Sequence, residues 1–213
     1  MEFEDLLAIV GDEPVFESGL LLAGQRDPKD VRRQLSRWVA AGKLLSLRRG
    51  LYALAQPYRK VEPHPFLVSN RLVTPSYVSL QAALAHHGLI PEAVPAVTAV
   101  TTRRPGRRDT PLGRFLFRHI DVSVLFGQRP EEVAAGQQAW VATAEKALLD
   151  LVYLTPAGDR PAFLAGLRLQ GLEALDGERL QAFAERFPGT KMQRAARSIL
   201  ELAAEEDAAG VEL

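Results

Sequence analysis

Side chains able to do chemistry collect at four places in this 213-residue chain. The densest is a basic block over residues 26 to 60. It holds ten bases, Arg26, Lys29, Arg32, Arg33, Arg37, Lys43, Arg48, Arg49, Arg59 and Lys60, against the two acids Asp27 and Asp30. Lysine neutralises phosphate and the arginine fork fits guanine edges, so this block points to nucleic acid. A second cluster, Arg103, Arg104, Arg107 and Arg108 around Pro105 and Gly106, suits phosphate, an acidic protein partner or plain solvation. The third is Glu145, Lys146 and Asp150, where two carboxylates could flank one cation; acids in a first helical turn are also ordinary dipole partners. The fourth is His86-His87. Neighbours on a helix point ~100° apart, so these two cannot share a metal unless the helix bends. With His64 and His119 as the other histidines, they read as packing or surface groups.

Other chemistries find little support. The chain has no Gly-rich phosphate loop ending in Lys-Ser/Thr, no G-x-S-x-G elbow and no H-E-x-x-H. Asp27-Pro28-Lys29 has the acid-x-Lys spacing of some nucleases, but it reads as a helix cap without companion carboxylates. The absence of cysteine excludes disulfides, thiolate zinc sites and thiol nucleophiles. No cofactor or metal is implied, and no enzymatic activity is expected. The first seventeen residues carry six acids and no base, unlike a secretory leader, and no apolar run approaches the ~18 residues of a membrane span. A cytoplasmic protein without membrane contact is the expectation. Its 26 bases and 26 acids cancel, yet the basic block lies between an acidic start and a tail rich in Glu201, Glu205, Glu206, Asp207 and Glu212. One region therefore seeks anions while the whole stays neutral.

The elements that must position the basic block follow from pattern. Phe3, Leu6, Leu7 and Val10 have helical spacing, and Val15 to Ala23 reads as a second helix ending at Gly24. Asp27 as N-cap, Pro28 at the first helical position and Gly42 after the last turn predict a third helix over 28–41. Val31, Leu35, Trp38 and Val39 fall within ~100° of arc and form its core face. Lys29, Arg33, Ser36, Arg37 and Ala40 face the other way, with Arg32 on the flank. Lys43–Leu47 and Leu51–Ala55 then read as a hairpin tipped by Arg48, Arg49 and Gly50. Three helices and a hairpin are the order of a winged helix-turn-helix. In that frame Lys29, Arg33, Ser36 and Arg37 are the groove candidates, and Arg32, Arg48 and Arg49 the phosphate candidates.

Four prolines between 56 and 75 suggest a linker, placed at 61–71, which divides a DNA-binding unit over 1–60 from a second over 72–213. In the second unit Ser76–His87 reads as a helix closed by Gly88. Val97–Thr102, Phe115–Ile120 and Ala139–Ala142 read as strands, and Thr143 caps an apolar helix through Leu154. Helices are expected over 161–169, 178–187 and 190–206.

The N-terminal order, with Arg33, Leu35, Trp38, Gly42, Lys43, Leu44, Arg49, Gly50 and Tyr52, resembles the winged-helix part of the AbiEi antitoxin family. The stretch Ser76-Tyr77-Val78-Ser79-Leu80-Gln81-Ala82-Ala83-Leu84 is similar to that family's second domain. So are His87-Gly88-Leu89-Ile90-Pro91, Val100-Thr101-Thr102 and Val141-Ala142-Thr143-Ala144-Glu145-Lys146-Ala147-Leu148-Leu149-Asp150, with Ala144 standing where the family has proline. The resemblance implies an operator-binding autorepressor whose second domain counteracts a nucleotidyltransferase-type toxin, as in type IV toxin-antitoxin and phage-defence systems. Composition and spacing speak only to the DNA half.

The expectation is thus an α+β protein: a winged helix-turn-helix, then a mixed α/β domain with a small sheet and a helical C-terminal part. Two other functions fit the same residues. One is a stand-alone transcriptional regulator whose second domain dimerises or senses a ligand. The other is a nucleic-acid-processing enzyme using Glu145, Lys146 and Asp150.

Overall fold

The computed structural model describes residues 1–22, 27–92 and 94–210. Arg26, Glu212 and the expected helix end at Ala23 and Gly24 lie outside the described residues, as does the side chain of Asp207.

The first unit opens with helix α1 (Phe3–Val10), which buries Phe3, Leu6 and Val10. The second expected helix is replaced by a short strand, β1 (Phe16–Glu17), and a 3-10 turn over Ser18–Leu22. Pairing explains the change, because Phe16 and Glu17 lie opposite Tyr52 and Leu51 and extend the hairpin into a sheet. Helix α2 (Pro28–Ala40) starts where its local signals place it. The Asp27 carboxylate accepts from the Lys29 amide at 2.8 Å, and Gly42 takes the left-handed conformation (φ +69°) that ends the segment. Strands β2 (Leu44–Arg48) and β3 (Leu51–Leu54) complete a three-stranded sheet in the order β1-β3-β2. Its core gathers Phe3, Leu6, Phe16, Leu35, Trp38 and Leu44, with Phe3 edge-on to Trp38 at 5.4 Å.

The expected linker is partly helical: α3 (Pro65–Leu72) occupies most of 61–71. Pro65, one of the prolines read as breakers, sits at the start of this helix, where its missing N–H costs nothing. Likewise Ser76–His87 is not one helix. Strand β4 (Ser76–Val78) precedes α4 (Leu80–His86), because Tyr77 and Val78 are buried in the middle of the large sheet.

That sheet has six strands where a small one was expected. β5 (Val97–Thr101), β6 (Gly106–Thr110), β7 (Gly113–His119), β8 (Gln128–Ala134) and β9 (Gln137–Ala142) join β4 in the order β6-β7-β5-β4-β9-β8. Contacts β4–β9 and β5–β7 are parallel and the rest antiparallel. Helices α5 (Ala144–Leu154), α6 (Pro161–Gly166), α7 (Gly177–Glu185) and α8 (Lys191–Gly210) supply the helical C-terminal part. α4, α5, α7 and α8 share one core with Tyr77, Val100 and Val141 of the sheet.

A further core joins the two units. Val15, Leu47, Leu51 and Ala53 of the first pack with Val68 and Leu72 of α3 and with Ala99, Phe115 and Phe117 of the large sheet. The hairpin therefore has one face committed to the second unit.

Candidate nucleic-acid interface

Along α2, the buried positions Val31, Leu35 and Trp38 fix the rotation of the helix, so what remains must face solvent. Lys29, Arg32, Arg33, Ser36 and Arg37 are all exposed, as the pattern requires, while Val39 is only half-buried. Arg33 lies 3.4 Å from Asp30, both well exposed, a contact that water screens. The side chains of Lys29, Arg32 and Arg37 make no ion pair among the described residues. Ser36 Oγ donates to the Arg32 carbonyl at 2.9 Å, the back-bond usual for serine inside a helix. Met1, Asp27, Gln34, Arg33 and Arg37 line a concavity of about 440 Å³ beside this face.

The hairpin tip divides. Arg49 is exposed. Arg48 turns inward: its Nε and an NH2 group donate to the Arg71 carbonyl at 3.1 and 3.0 Å, and the same NH2 group meets Glu17 Oε1 at 3.1 Å. Placed for phosphate by its sequence position, Arg48 thus joins the hairpin to the end of α3. Other bases of the block are also engaged, Lys43 over the Phe3 ring at 4.4 Å, Arg59 with Glu62 at 2.6 Å and Lys60 with Asp12 at 3.0 Å. The usable charge of the block concentrates on α2 and Arg49.

In the second unit Arg103, Arg104, Arg107 and Arg108 are all exposed. The segment between the expected strands Val97–Thr102 and Phe115–Ile120 is itself partly strand, since Arg107 and Arg108 lie on edge strand β6 opposite Leu116 and Phe115. Arg107 Nε donates to both carboxylate oxygens of Asp109, at 2.9 and 2.7 Å, and those hydrogen bonds hold the Asp109 carboxyl below its usual range. Arg104 is the member with no partner among the described residues.

Glu145, Lys146 and Asp150 do not share one cleft. Lys146 and Asp150, one turn apart on α5, form an ion pair with no solvent exposure. The other Asp150 oxygen accepts from Tyr77 Oη at 3.0 Å and Ser79 Oγ at 2.8 Å, which ties α5 to the end of β4. The rings of Phe126 and Phe187 lie 4.8 and 4.9 Å from the ammonium. Burial pushes the Asp150 carboxyl up and the Lys146 ammonium down, and each partner opposes the shift of the other. Burial, followed by the Asp150 charge, raises the Tyr77 phenol beyond its ordinary range. Glu145 points elsewhere, accepting from the Asp176 amide at 3.0 Å beside Arg179, in a polar cavity of about 230 Å³ with His87, Arg129 and Thr143.

Two features escaped pattern reading. Trp140, half exposed on β9, rims a concavity of about 410 Å³ with Asn70, Arg71, Tyr77 and Leu125. A strand alternation places Trp140 on an outer face, but only the tertiary fold brings α3 against it. The second is a cluster of two imidazoles and a carboxylate, His86, His87 and Glu131, which the fold draws together across 45 residues.

Together the described residues define an α+β protein built on two sheets. Its fold is similar to the crystal structure of the RV2827C protein from Mycobacterium tuberculosis. The TM-score is 0.58 at 18% identity, over 95% of this chain and 76% of that one. No protein-family model and no curated protein matches the chain.

Proposed function

We propose that the chain is a DNA-binding antitoxin and autorepressor, with the first unit a winged helix and α2 its reading helix. The observation that carries this is the outward face of α2, where Lys29, Arg32, Arg33, Ser36 and Arg37 stand in solvent on a helix held from behind by Trp38 and Leu35. A helix of this kind enters a major groove with cations for phosphates and forks for bases. The sheet β1-β3-β2 is the wing, and Arg49 is its phosphate contact. The second unit, by its resemblance to AbiEi antitoxins, counteracts a nucleotidyltransferase-type toxin, and Arg103, Arg104, Arg107 and Arg108 are its candidate partner surface.

The test uses the full chain. Mobility shifts against the chain's own promoter and a random duplex should show tighter binding to the promoter; equal affinity would leave a general polyanion binder. Co-expression with the neighbouring gene's product, scored for growth, tests the antitoxin half. The concavity under Trp140 favours a second reading, a stand-alone regulator that senses a ligand, and a neighbourhood without a nucleotidyltransferase-like frame would select it.

A further inference from the structure

Three of the chain's four histidines meet in one place. His64, Phe66, His86 and His87 form a ladder of rings, each edge-on or tilted to the next, with centroids 5.1, 5.3 and 5.1 Å apart. The sequence places His86 and His87 on one helix, pointing apart. In the structure His87 is the C-cap of α4, and the two rings nevertheless meet at 5.1 Å. From the edge strand β8, Glu131 comes up to the pair. One ring nitrogen of each histidine and one carboxylate oxygen then lie within 4.8 Å of one another.

We propose that His86, His87 and Glu131 form a binding site for a divalent transition-metal ion of the zinc class. His86 Nε2 and Glu131 Oε2 are 2.8 Å apart. Two metal–ligand bonds of about 2.0 Å span roughly that distance, so an ion can replace the proton that now lies between them. His87 Nε2 faces the Ala142 carbonyl at 2.8 Å. A carbonyl only accepts, so that nitrogen carries the proton and Nδ1 keeps the lone pair. Arg129 Nε donates to Glu131 Oε1 at 2.9 Å and leaves Oε2 for the ion. Both contacts are of the kind that orient metal ligands from behind.

Imidazole and carboxylate together suit zinc and its neighbours better than magnesium or calcium, which seek oxygen alone. Three protein ligands leave a fourth position for solvent. His87 and Arg129 also line the polar cavity beside Glu145, so there is solvent space next to the cluster. A bound ion would fasten the end of α4 to β8, an edge strand with one free side.

The test is calorimetric titration of the full, tag-free chain with zinc chloride, repeated with cobalt(II) to read its visible d–d bands. One ion per chain is expected. Glu131→Gln and, separately, His86→Asn should weaken binding at least tenfold, whereas His119→Ala, outside the ladder, should leave it unchanged. Thermal melts without metal establish that each variant is folded. The two substitutions affect groups on different elements, so a folding defect in one leaves the other to decide. Absence of saturable binding by the wild type overturns the proposal, as does stoichiometric binding that both folded variants retain.

Discussion

Arg48 and Arg49 are adjacent, identical in chemistry and at the same hairpin tip, yet they face different tasks. Arg48 spends its guanidinium on the Arg71 carbonyl and Glu17, while Arg49 stays in solvent. If Arg49 is the wing's phosphate contact, Arg49→Ala should weaken operator and random duplex alike. It should also flatten the dependence of log K on log salt by about one unit. Arg48→Ala should leave that slope unchanged and show its effect in the melting temperature; a flattened slope there would return Arg48 to the DNA surface. On α2 the prediction differs in kind. Arg33 and Arg37 lie one turn apart on the exposed face, so if α2 is the reading helix, replacing whichever of them contacts a base should cost about 1–3 kcal/mol on the operator and relax sequence preference. Binding isotherms against operator variants separate the two behaviours. A uniform loss across all duplexes would make both arginines anchors.

Between elements, a few polar contacts hold the second unit, and two can be titrated or cut. His64 caps α3 by accepting the Phe66 amide on Nδ1 at 3.2 Å, which requires a neutral ring. Burial, and then the nearby His86, lowers its pKa from the ordinary 6.5. The unfolded chain therefore binds the proton more readily, so stability is complete above about pH 6.5 and falls as pH drops from there towards the folded-state pKa. In metal-free buffer His64→Asn, which keeps a capping oxygen, should flatten that part of the stability–pH curve measured by urea unfolding. The Lys146–Asp150 pair offers the second test. Lys146→Met strands a buried carboxylate and should cost about 3–5 kcal/mol. Adding Asp150→Asn should recover part of it, because the amide oxygen still accepts from Tyr77 or Ser79 and needs no cation; additive losses would mean the two residues act apart. Elements defined by local signals were the legible ones. Asp27, Pro28 and Gly42 delimit α2 within a residue, and Thr143 caps α5 as read, with its Oγ1 accepting from the Lys146 amide. What pattern reading missed depends on distant partners. β1 exists because β3 is beside it, and β4 because β5 and β9 flank it. β6 and β8 are edge strands carrying Arg107, Arg108, Glu131 and Glu132, whose charge hides the strand pattern although charge is what protects a sheet edge. The exposed face of α2 was readable because a helix carries its own period. The cluster of His86, His87 and Glu131 was not, since it depends on β8 lying beside the end of α4.

At the scale of the molecule, the junction decides whether the two units act separately. Val15, Leu47, Leu51 and Ala53 share a core with Val68, Leu72, Phe115 and Phe117, so a cut near residue 60 would expose apolar surface on both sides. The full chain should therefore unfold in one cooperative transition. Leu51→Ala, at a position with no exposure, should lower its stability by about 2–5 kcal/mol without splitting that transition. Two separate melting steps in the wild type would show that the shared core couples the units weakly. Structural coupling does not require that function be shared, because the α2 face lies on the exposed side of its helix and the candidate partner arginines lie on other elements. Arg33→Ala combined with Arg37→Ala should accordingly abolish promoter repression while protection from the co-expressed toxin persists. Both substitutions are on the surface and should leave the melting temperature near wild type. Reporter expression and growth, scored in the same cells, give the two readouts. Loss of both in a protein that melts normally would mean that repression itself protects the cell, by limiting how much toxin is made.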